Sequence, residues 1–110
     1  MSSPEQVYFV TPTEIAEWRE QDQAVIVDVR EEYEWQEGHI PGAILMPLST
    51  FDPAQIPDAQ GKHLVFHCRS GRRCGMAAGK ALASGFKGTI ARMAGGFLAW
   101  SAAGLPSEPG

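Results

Sequence analysis

The apolar residues of this chain fall into short, mostly continuous runs separated by polar segments. The runs that predict strands cover residues 7–10, 24–27, 44–46, 64–66 and 89–93. Continuous runs, as opposed to alternating ones, indicate strands that are covered on both faces of a sheet. The first run is short, and we expect it at a sheet edge.

Helical patterns lie between these runs. Thr11, Pro12 and Glu14 predict a helix start, with a threonine N-cap, a proline in the first turn and an acidic residue that completes a capping box. Further helical segments are predicted at residues 31–37, at 49–56 as one or two turns, from Met76 to Phe86, and after Gly95. Strands that alternate with helices predict an α/β fold with a mainly parallel sheet.

The composition is that of one ordinary globular domain. The 110 residues are 44% hydrophobic and 20% charged, and the apolar runs are far too short to cross a bilayer. Residues 1–5 show no basic segment followed by an apolar one, so we expect no signal peptide and a cytoplasmic location. The net charge of −4 argues against nucleic acid as the main partner. We therefore expect a single domain over residues 1–110, with no nucleic-acid or membrane partner.

Cys68 stands where a buried strand meets a polar loop that leads into a helix. Cysteine reacts as the thiolate, so its surroundings must stabilise negative charge. Ser70 and Gly71 allow the backbone to curl so that successive N–H groups point inward, as in an anion-binding nest. A helix N-terminus adds favourable partial charge. We predict that Cys68 is the reactive nucleophile.

Three arginines follow the cysteine in the same loop. Arg69, Arg72 and Arg73 form a local positive spot on an acidic chain, which suits a small anionic substrate. Asp28 and Arg30 follow another predicted strand, and ligands of parallel sheets bind at the carboxyl ends of strands. These two charged residues are therefore candidate supporting residues, although pairing with each other or anchoring a loop is the stronger interpretation for them.

Cys74 is the second of two cysteines, too few for a disulfide framework. Its preferred interpretation is a small packing residue. The alternative is a redox-sensitive partner of Cys68, which stays open because sequence does not fix the distance between the two residues. A zinc site built from His63, His67 and the two cysteines is disfavoured, because the spacing matches no familiar ligand pattern. We predict no metal and no cofactor, and we assign His39 no proton-transfer role.

Three stretches in this order resemble a single-domain rhodanese, a thiosulfate sulfurtransferase-like domain. They are Asp28-Val29-Arg30-Glu31 with Gly38-His39-Ile40-Pro41-Gly42-Ala43, then Cys68-Arg69-Ser70-Gly71-Arg72-Arg73, and then Gly95-Gly96-Phe97 with Trp100. The resemblance covers nearly the whole chain. It implies a central five-stranded, mainly parallel sheet with helices on both faces. It also implies that Cys68 accepts sulfur and that the loop from Arg69 to Arg73 binds the persulfide. Cys74 departs from the pattern, since relatives often carry serine there.

The resemblance implies a two-step reaction. The Cys68 thiolate takes the outer sulfur of thiosulfate, or of another persulfide donor, and passes it to a thiophilic acceptor such as cyanide or a thiol. The expected partners are a small anionic sulfur donor and that acceptor, which includes the case of a sulfur-accepting protein.

Other functions stay open. A persulfide carrier and a regulatory binding module are the main alternatives, and binding modules of this fold typically lack the cysteine. A phosphatase or an arsenate reductase of the same fold is less favoured. Phosphatase loops place arginine six positions after the cysteine, where this chain has Cys74, while Arg73 comes one residue earlier.

Overall fold

The computed structural model describes residues 6–109. The sequence prediction about residues 1–5 lies outside the described residues. The elements are strand β1 (Val7–Val10), helix α1 (Pro12–Glu20), β2 (Ala24–Asp28), α2 (Glu32–Glu37), β3 (Ile44–Leu45), two 3₁₀ turns (Leu48–Thr50 and Pro53–Gln55), β4 (His63–His67), α3 (Arg73–Ala83), β5 (Ile90–Met93) and α4 (Gly96–Ala102).

The strands form one five-stranded sheet in the order β1-β5-β4-β2-β3, and every pairing is parallel. The predicted α/β class and five-stranded sheet are therefore confirmed. β4 lies at the centre, and β1 lies at one edge as its short run predicted. Asp28 at the end of β2 is in register with His67 at the end of β4. The residues that follow these two strands consequently emerge side by side.

Each face of the sheet carries its own hydrophobic cluster, because successive strand residues point to opposite faces. Val27 and Phe66 belong to the cluster packed against α3, together with Cys68 and Cys74. The other face, covered by α1 and α4, includes Ile26, Val65 and Trp100. Burial on both faces explains why the central strands are continuous apolar runs.

The helix starts agree with the sequence in one case and differ in another. In α1 the Thr11 hydroxyl accepts a hydrogen bond from the Glu14 N–H, and Pro12 stands in the first turn. Helix α3 begins at Arg73, three residues before the predicted start at Met76, and ends at Ala83 so that Phe86 lies beyond it. Its N-cap residue makes no side-chain capping bond, so the sequence carries no start signal there. The earlier start places Cys74 in the first helical turn.

Within residues 6–109 no helix is both long enough and apolar enough to span a membrane.

Candidate active site

Cys68 is the first residue after β4 and lies at the carboxyl edge of the sheet. Only 1% of the residue is exposed, whereas Arg69, Ser70 and Arg72 are exposed around it. The loop therefore holds the thiol at its floor and presents polar side chains at its rim.

Backbone amides form the floor of the loop. The Gly71 N–H donates to Cys68 Sγ at an N···S distance of 3.1 Å, and the N–H groups of Ser70 and Cys74 also point at this sulfur. Gly71 has φ +105°, a conformation that residues with a Cβ rarely adopt. Glycine is thus needed here to turn the peptide so that its N–H faces inward. The N–H groups of this loop therefore point inward, as the sequence predicted.

The loop stabilises the thiolate of Cys68. A hydrogen bond from the Cys74 thiol, opposed by burial and supported by the three backbone N–H groups, lowers the pKa of Cys68 from 9.0 to about 5. The same contact, together with burial, raises the pKa of Cys74 well above its usual range. At neutral pH the pair therefore holds one proton, which resides on Cys74. Cys68 is therefore the thiolate of the pair, which is the form in which a cysteine reacts.

Titration of the thiolate by its ultraviolet absorbance tests this assignment. We expect a midpoint at about pH 5 for the wild-type chain, with the Cys68→Ser variant as the baseline. The midpoint should rise in Cys74→Ala, which removes the donor, and stay closer to wild type in Cys74→Ser, because a hydroxyl also donates. A wild-type midpoint near 9 would contradict the assignment.

Cys74 lies where its preferred interpretation, a small packing residue, places it. It is fully buried among the residues that pack against α3, as a small core residue would be. Its Sγ also lies 3.2 Å from the carbonyl oxygen of Gly71. Both cysteines are free thiols in this structure.

Arg73 is drawn away from the loop by Glu34 of α2. The two Nη atoms of Arg73 donate to the two carboxylate oxygens of Glu34 at 2.6 and 2.8 Å. This hydrogen bonding, despite partial burial, lowers the pKa of Glu34 to about 2 and raises that of Arg73. We therefore assign Arg73 to an ion pair that anchors the loop to α2, which differs from the substrate-binding role expected of it. Arg69 and Arg72 remain the exposed cations of the loop.

Replacement of Glu34 by glutamine should lower the free energy of unfolding at neutral pH by about 1–3 kcal/mol, a value between those of exposed and buried ion pairs. Since the folded-state pKa of about 2 lies below the ordinary 4.5, the carboxylate stabilises the fold above pH 4.5. This contribution disappears as pH falls toward 2. Denaturant unfolding should show the gap between wild type and variant closing over that range.

Glu37→Gln is the matched control for the Glu34 variant, because Glu37 is an exposed residue of the same helix. We expect its unfolding free energy to stay within about 0.5 kcal/mol of wild type. If both variants lost the same free energy of unfolding, the ion pair between Glu34 and Arg73 would make no specific contribution to stability.

Asp28 and Arg30 form a buried ion pair beside the loop. The Arg30 Nη2 donates to Asp28 Oδ2 at 2.7 Å and to the Gly38 carbonyl oxygen at 2.8 Å, and the guanidinium stacks over the Phe97 ring at 4.3 Å. The two residues thus pair with each other and hold the turn at Gly38, as the stronger interpretation from sequence proposed. Neither touches Cys68 Sγ, and their contribution is to the position of the surrounding backbone.

Two histidines of the region have structural partners. His67 Nδ1 lies 3.3 Å from the Cys68 carbonyl oxygen and Nε2 lies 3.5 Å from Asp28 Oδ2, and complete burial lowers the pKa of this ring despite that carboxylate. His39 has Trp35 O at 3.2 Å from its Nδ1 and Glu108 at 3.3 Å from its Nε2. Among residues 6–109, His, Cys, Asp and Glu side chains do not gather in any group able to hold a metal ion.

The start of α4 clamps the backbone of the reactive cysteine, which sequence reasoning missed. The N–H of Phe97 donates to the Cys68 carbonyl oxygen at 2.8 Å, and the N–H of Leu98 donates to that of Arg69 at 3.1 Å. Gly96 lies so close that a Cβ there would stand 2.5 Å from the Cys68 oxygen. In the sequence, the Gly95-Gly96 pair is the feature that could have revealed this contact with Cys68, but it was interpreted only as the start of a helix.

Arg92 of β5 is a second residue that sequence reasoning did not single out. Its Nη2 donates to the Gly71 carbonyl oxygen at 2.6 Å, which is the same oxygen that accepts from Cys74. Gly75 makes room for it, because a Cβ there would stand 2.6 Å from Nη2. Arg92 thus holds the loop at the Gly71 carbonyl. The ring of Phe9 stacks on the Arg92 guanidinium, with its centroid 4.2 Å from the guanidinium carbon.

A cleft of about 290 Å³ lies beside the loop, and its walls include Arg30, Glu37, Arg69 and Leu98. Cys68 contributes no atoms to its lining. The exposed Arg69 belongs both to the wall of this cleft and to the loop that follows Cys68.

The loop that begins at Cys68 follows the carboxyl end of β4, the central strand of a five-stranded parallel sheet. The model of the rhodanese-like domain matches residues 11–103. The chain belongs to the rhodanese-like domain family. Its fold is the one that the sulfurtransferases of that family use.

Among the relatives of this rhodanese-like domain, an uncharacterized protein of Synechocystis sp. is 41% identical over 98 residues, which are 89% of this chain and 54% of that protein. A thiosulfate sulfurtransferase from Pseudomonas aeruginosa superposes with a TM-score of 0.78 at 27% identity, over 99% of this chain and 21% of that one. A Rhodopseudomonas palustris protein described as a possible tyrosine phosphatase gives a TM-score of 0.76 at 29% identity, over 93% of this chain and 85% of that one.

The rhodanese-like domain spans about half the length of two curated relatives, 54% of one and 48% of the other. Its structural neighbours also differ in described activity. The chemistry of this chain must therefore be argued from the geometry of its own loop.

Proposed function

We propose that this rhodanese-like domain is a sulfurtransferase that takes a sulfane sulfur from thiosulfate or a similar donor. The observation that carries the proposal is the Cys68 thiolate, whose pKa is lowered to about 5 inside a loop of inward N–H groups. A thiolate at neutral pH is the form that attacks sulfur. The exposed Arg69 and Arg72 supply positive charge for a small anion.

The first half-reaction is displacement at sulfur. The Cys68 thiolate attacks the outer sulfur of thiosulfate, the sulfur–sulfur bond of thiosulfate breaks, and sulfite leaves with the electron pair. Cys68 then carries a persulfide anion. The N–H groups of Ser70, Gly71 and Cys74 are placed to stabilise the charge that moves through this site.

The second half-reaction returns the thiolate. An acceptor nucleophile, cyanide in an assay or a thiol in the cell, attacks the outer sulfur of the persulfide and releases Cys68. The cleft of about 290 Å³ beside Arg69 gives room for an acceptor larger than cyanide, including a thiol presented by a protein. A thiolate of this kind persists only in reducing surroundings, which favours a cytoplasmic location.

The position of Arg73 favours sulfur transfer over phosphate-ester hydrolysis. A cysteine-dependent phosphatase needs a guanidinium that binds the phosphate oxygens from within the loop. Here both Nη atoms of Arg73 are held by the Glu34 carboxylate. The loop is left with backbone amides as its inner donors, which suits a single sulfur atom.

Sulfite release tests the proposal. Reduced protein mixed with thiosulfate, with no acceptor present, should release one equivalent of sulfite per chain in a burst. An aryl phosphate offered to the same protein should not be hydrolysed. Absence of sulfite from folded, reduced protein would refute the proposed function, and phosphate release in its place would establish a phosphatase.

A further inference from the structure

Cys74 is a second buried thiol, and the transfer reaction does not use its sulfur as a nucleophile. The two sulfurs lie on either side of the Gly71 peptide, since Cys68 Sγ accepts from the Gly71 N–H at 3.1 Å and Cys74 Sγ lies 3.2 Å from the Gly71 oxygen. The Cys74 thiol also makes a hydrogen bond to Cys68. The guanidinium of Arg92 donates to the same oxygen at 2.6 Å and also reaches the Cys74 thiol. Two thiols and one cation are thus gathered around one peptide unit.

We propose that Cys74 is a resolving cysteine, which attacks the Cys68 persulfide and releases its outer sulfur as hydrosulfide. This inference rests on the proposed function, because it begins from the persulfide. It adds an activity in which the sulfane sulfur is reduced by the protein itself and is not carried to an acceptor.

The step balances within the chain. The Cys74 proton passes to the outer sulfur of the persulfide, and the Cys74 thiolate attacks Cys68 Sγ. The bond between Sγ and the outer sulfur breaks, hydrosulfide leaves with its electron pair, and a Cys68–Cys74 disulfide forms. The disulfide carries the two-electron oxidation that reduces the sulfane sulfur. A second turnover requires a dithiol reductant to reopen it.

Attack falls on the inner sulfur because of where Cys74 lies. Its thiol contacts Sγ of Cys68 itself, and Sγ becomes the inner sulfur once the persulfide has formed. Cys74 lies in the first turn of α3, so the new bond would join that turn to the end of β4.

Loading with sulfur also changes the state of Cys74. In the resting protein the Cys68 thiolate holds the proton on Cys74. In the persulfide the negative charge moves from Sγ to the outer sulfur, so this restraint weakens. Arg92, which favours the charged form of Cys74, remains in contact. Persulfide formation therefore converts Cys74 from a proton donor into a nucleophile.

The test uses the wild-type chain, fully reduced, under anaerobic conditions, mixed with thiosulfate and no acceptor. We expect sulfite, hydrosulfide and an intramolecular Cys68–Cys74 disulfide in equal amounts, one of each per chain, measured by anion assay, sulfide trapping and peptide mapping. The same protein without thiosulfate should keep both thiols, which excludes simple oxidation. Addition of dithiothreitol should then allow repeated hydrosulfide release.

The outcomes separate the two proposals. The wild-type chain could release sulfite and keep a stable added sulfur on Cys68. That result would overturn the resolving role of Cys74 and leave the proposed sulfurtransferase activity intact. A disulfide between the Cys68 residues of two chains would also overturn it. Failure to release sulfite at all would remove the sulfurtransferase and this inference together.

Two variants give independent support. In Cys74→Ser, or in Cys74→Ala if the serine variant does not fold, the first half-reaction should end as a stable persulfide with no hydrosulfide, whatever its rate. Arg92→Met keeps Cys74 but removes the nearby cation, and we expect at least tenfold slower hydrosulfide release relative to sulfite release. Hydrosulfide from either Cys74 variant at the wild-type yield would contradict the proposal.

Discussion

Replacement of Cys68 by serine is expected to abolish sulfur transfer. The serine hydroxyl is not ionised at neutral pH and forms no persulfide, so no residue of the loop can take its place. Cyanide-dependent turnover should fall by about 10⁴-fold or more, the scale seen when a covalent nucleophile is removed. The measurement is thiocyanate formation from thiosulfate and cyanide, together with intact mass after exposure to thiosulfate.

The fold of the Cys68→Ser variant should be retained, because oxygen replaces sulfur at a position already surrounded by N–H donors. Circular dichroism and thermal unfolding check this point. Cys74→Ser is the matched control, since it makes the same atomic change in the neighbouring thiol and leaves the nucleophile in place. Residual sulfur loading of the Cys68 variant would show that another residue carries the chemistry.

Replacement of Gly96 by alanine should cause the largest loss of stability among single-methyl additions at this site. Gly96 has φ +60°, and its Cβ would stand 2.5 Å from the Cys68 oxygen and 2.6 Å from the carbonyl carbon and oxygen of Arg69. These neighbours are backbone atoms of the reactive loop and have no rotamer to change. A left-handed backbone costs an alanine about 1–2 kcal/mol, and overpacking costs about 1–3 kcal/mol. We therefore expect the free energy of unfolding to fall by about 2–5 kcal/mol.

Gly104→Ala isolates the steric part of the Gly96 effect. Gly104 follows the other end of α4, with φ +71° and nothing within 4 Å of its Cβ position, so only the strain of about 1–2 kcal/mol applies. Denaturant unfolding of the two variants measures the difference. The Gly96 variant should also lose sulfite release, since the backbone that it displaces carries Cys68. Equal stability losses at the two glycines would show that the contact with Cys68 is not tight.

The sequence by itself determined the sheet and the position of Cys68 in an amide-lined loop. Continuous apolar runs such as residues 24–27 predict strands covered on both faces, because local pattern and burial depend on the same residues. A cysteine after such a strand, followed by Ser70 and Gly71, predicts a loop whose N–H groups point inward. This prediction succeeds because the geometry of the loop depends on residues that are adjacent in the sequence. The start of α3 at Arg73 was missed because no capping side chain marks it.

Only the tertiary structure decided which contacts each residue of the loop makes. Glu34 and Arg73 are 39 positions apart, and only the packing of α2 beside α3 reveals that this arginine is held by a carboxylate. Arg92 reaches the loop from 21 positions away, and α4 clamps Cys68 through backbone N–H groups that carry no sequence signature. The spacing of residues along the chain contains no information about such distant contacts. The sequence placed Cys68 in its loop, whereas only the fold shows that Cys74, Arg92 and the backbone of α4 contact that loop and that Glu34 binds Arg73.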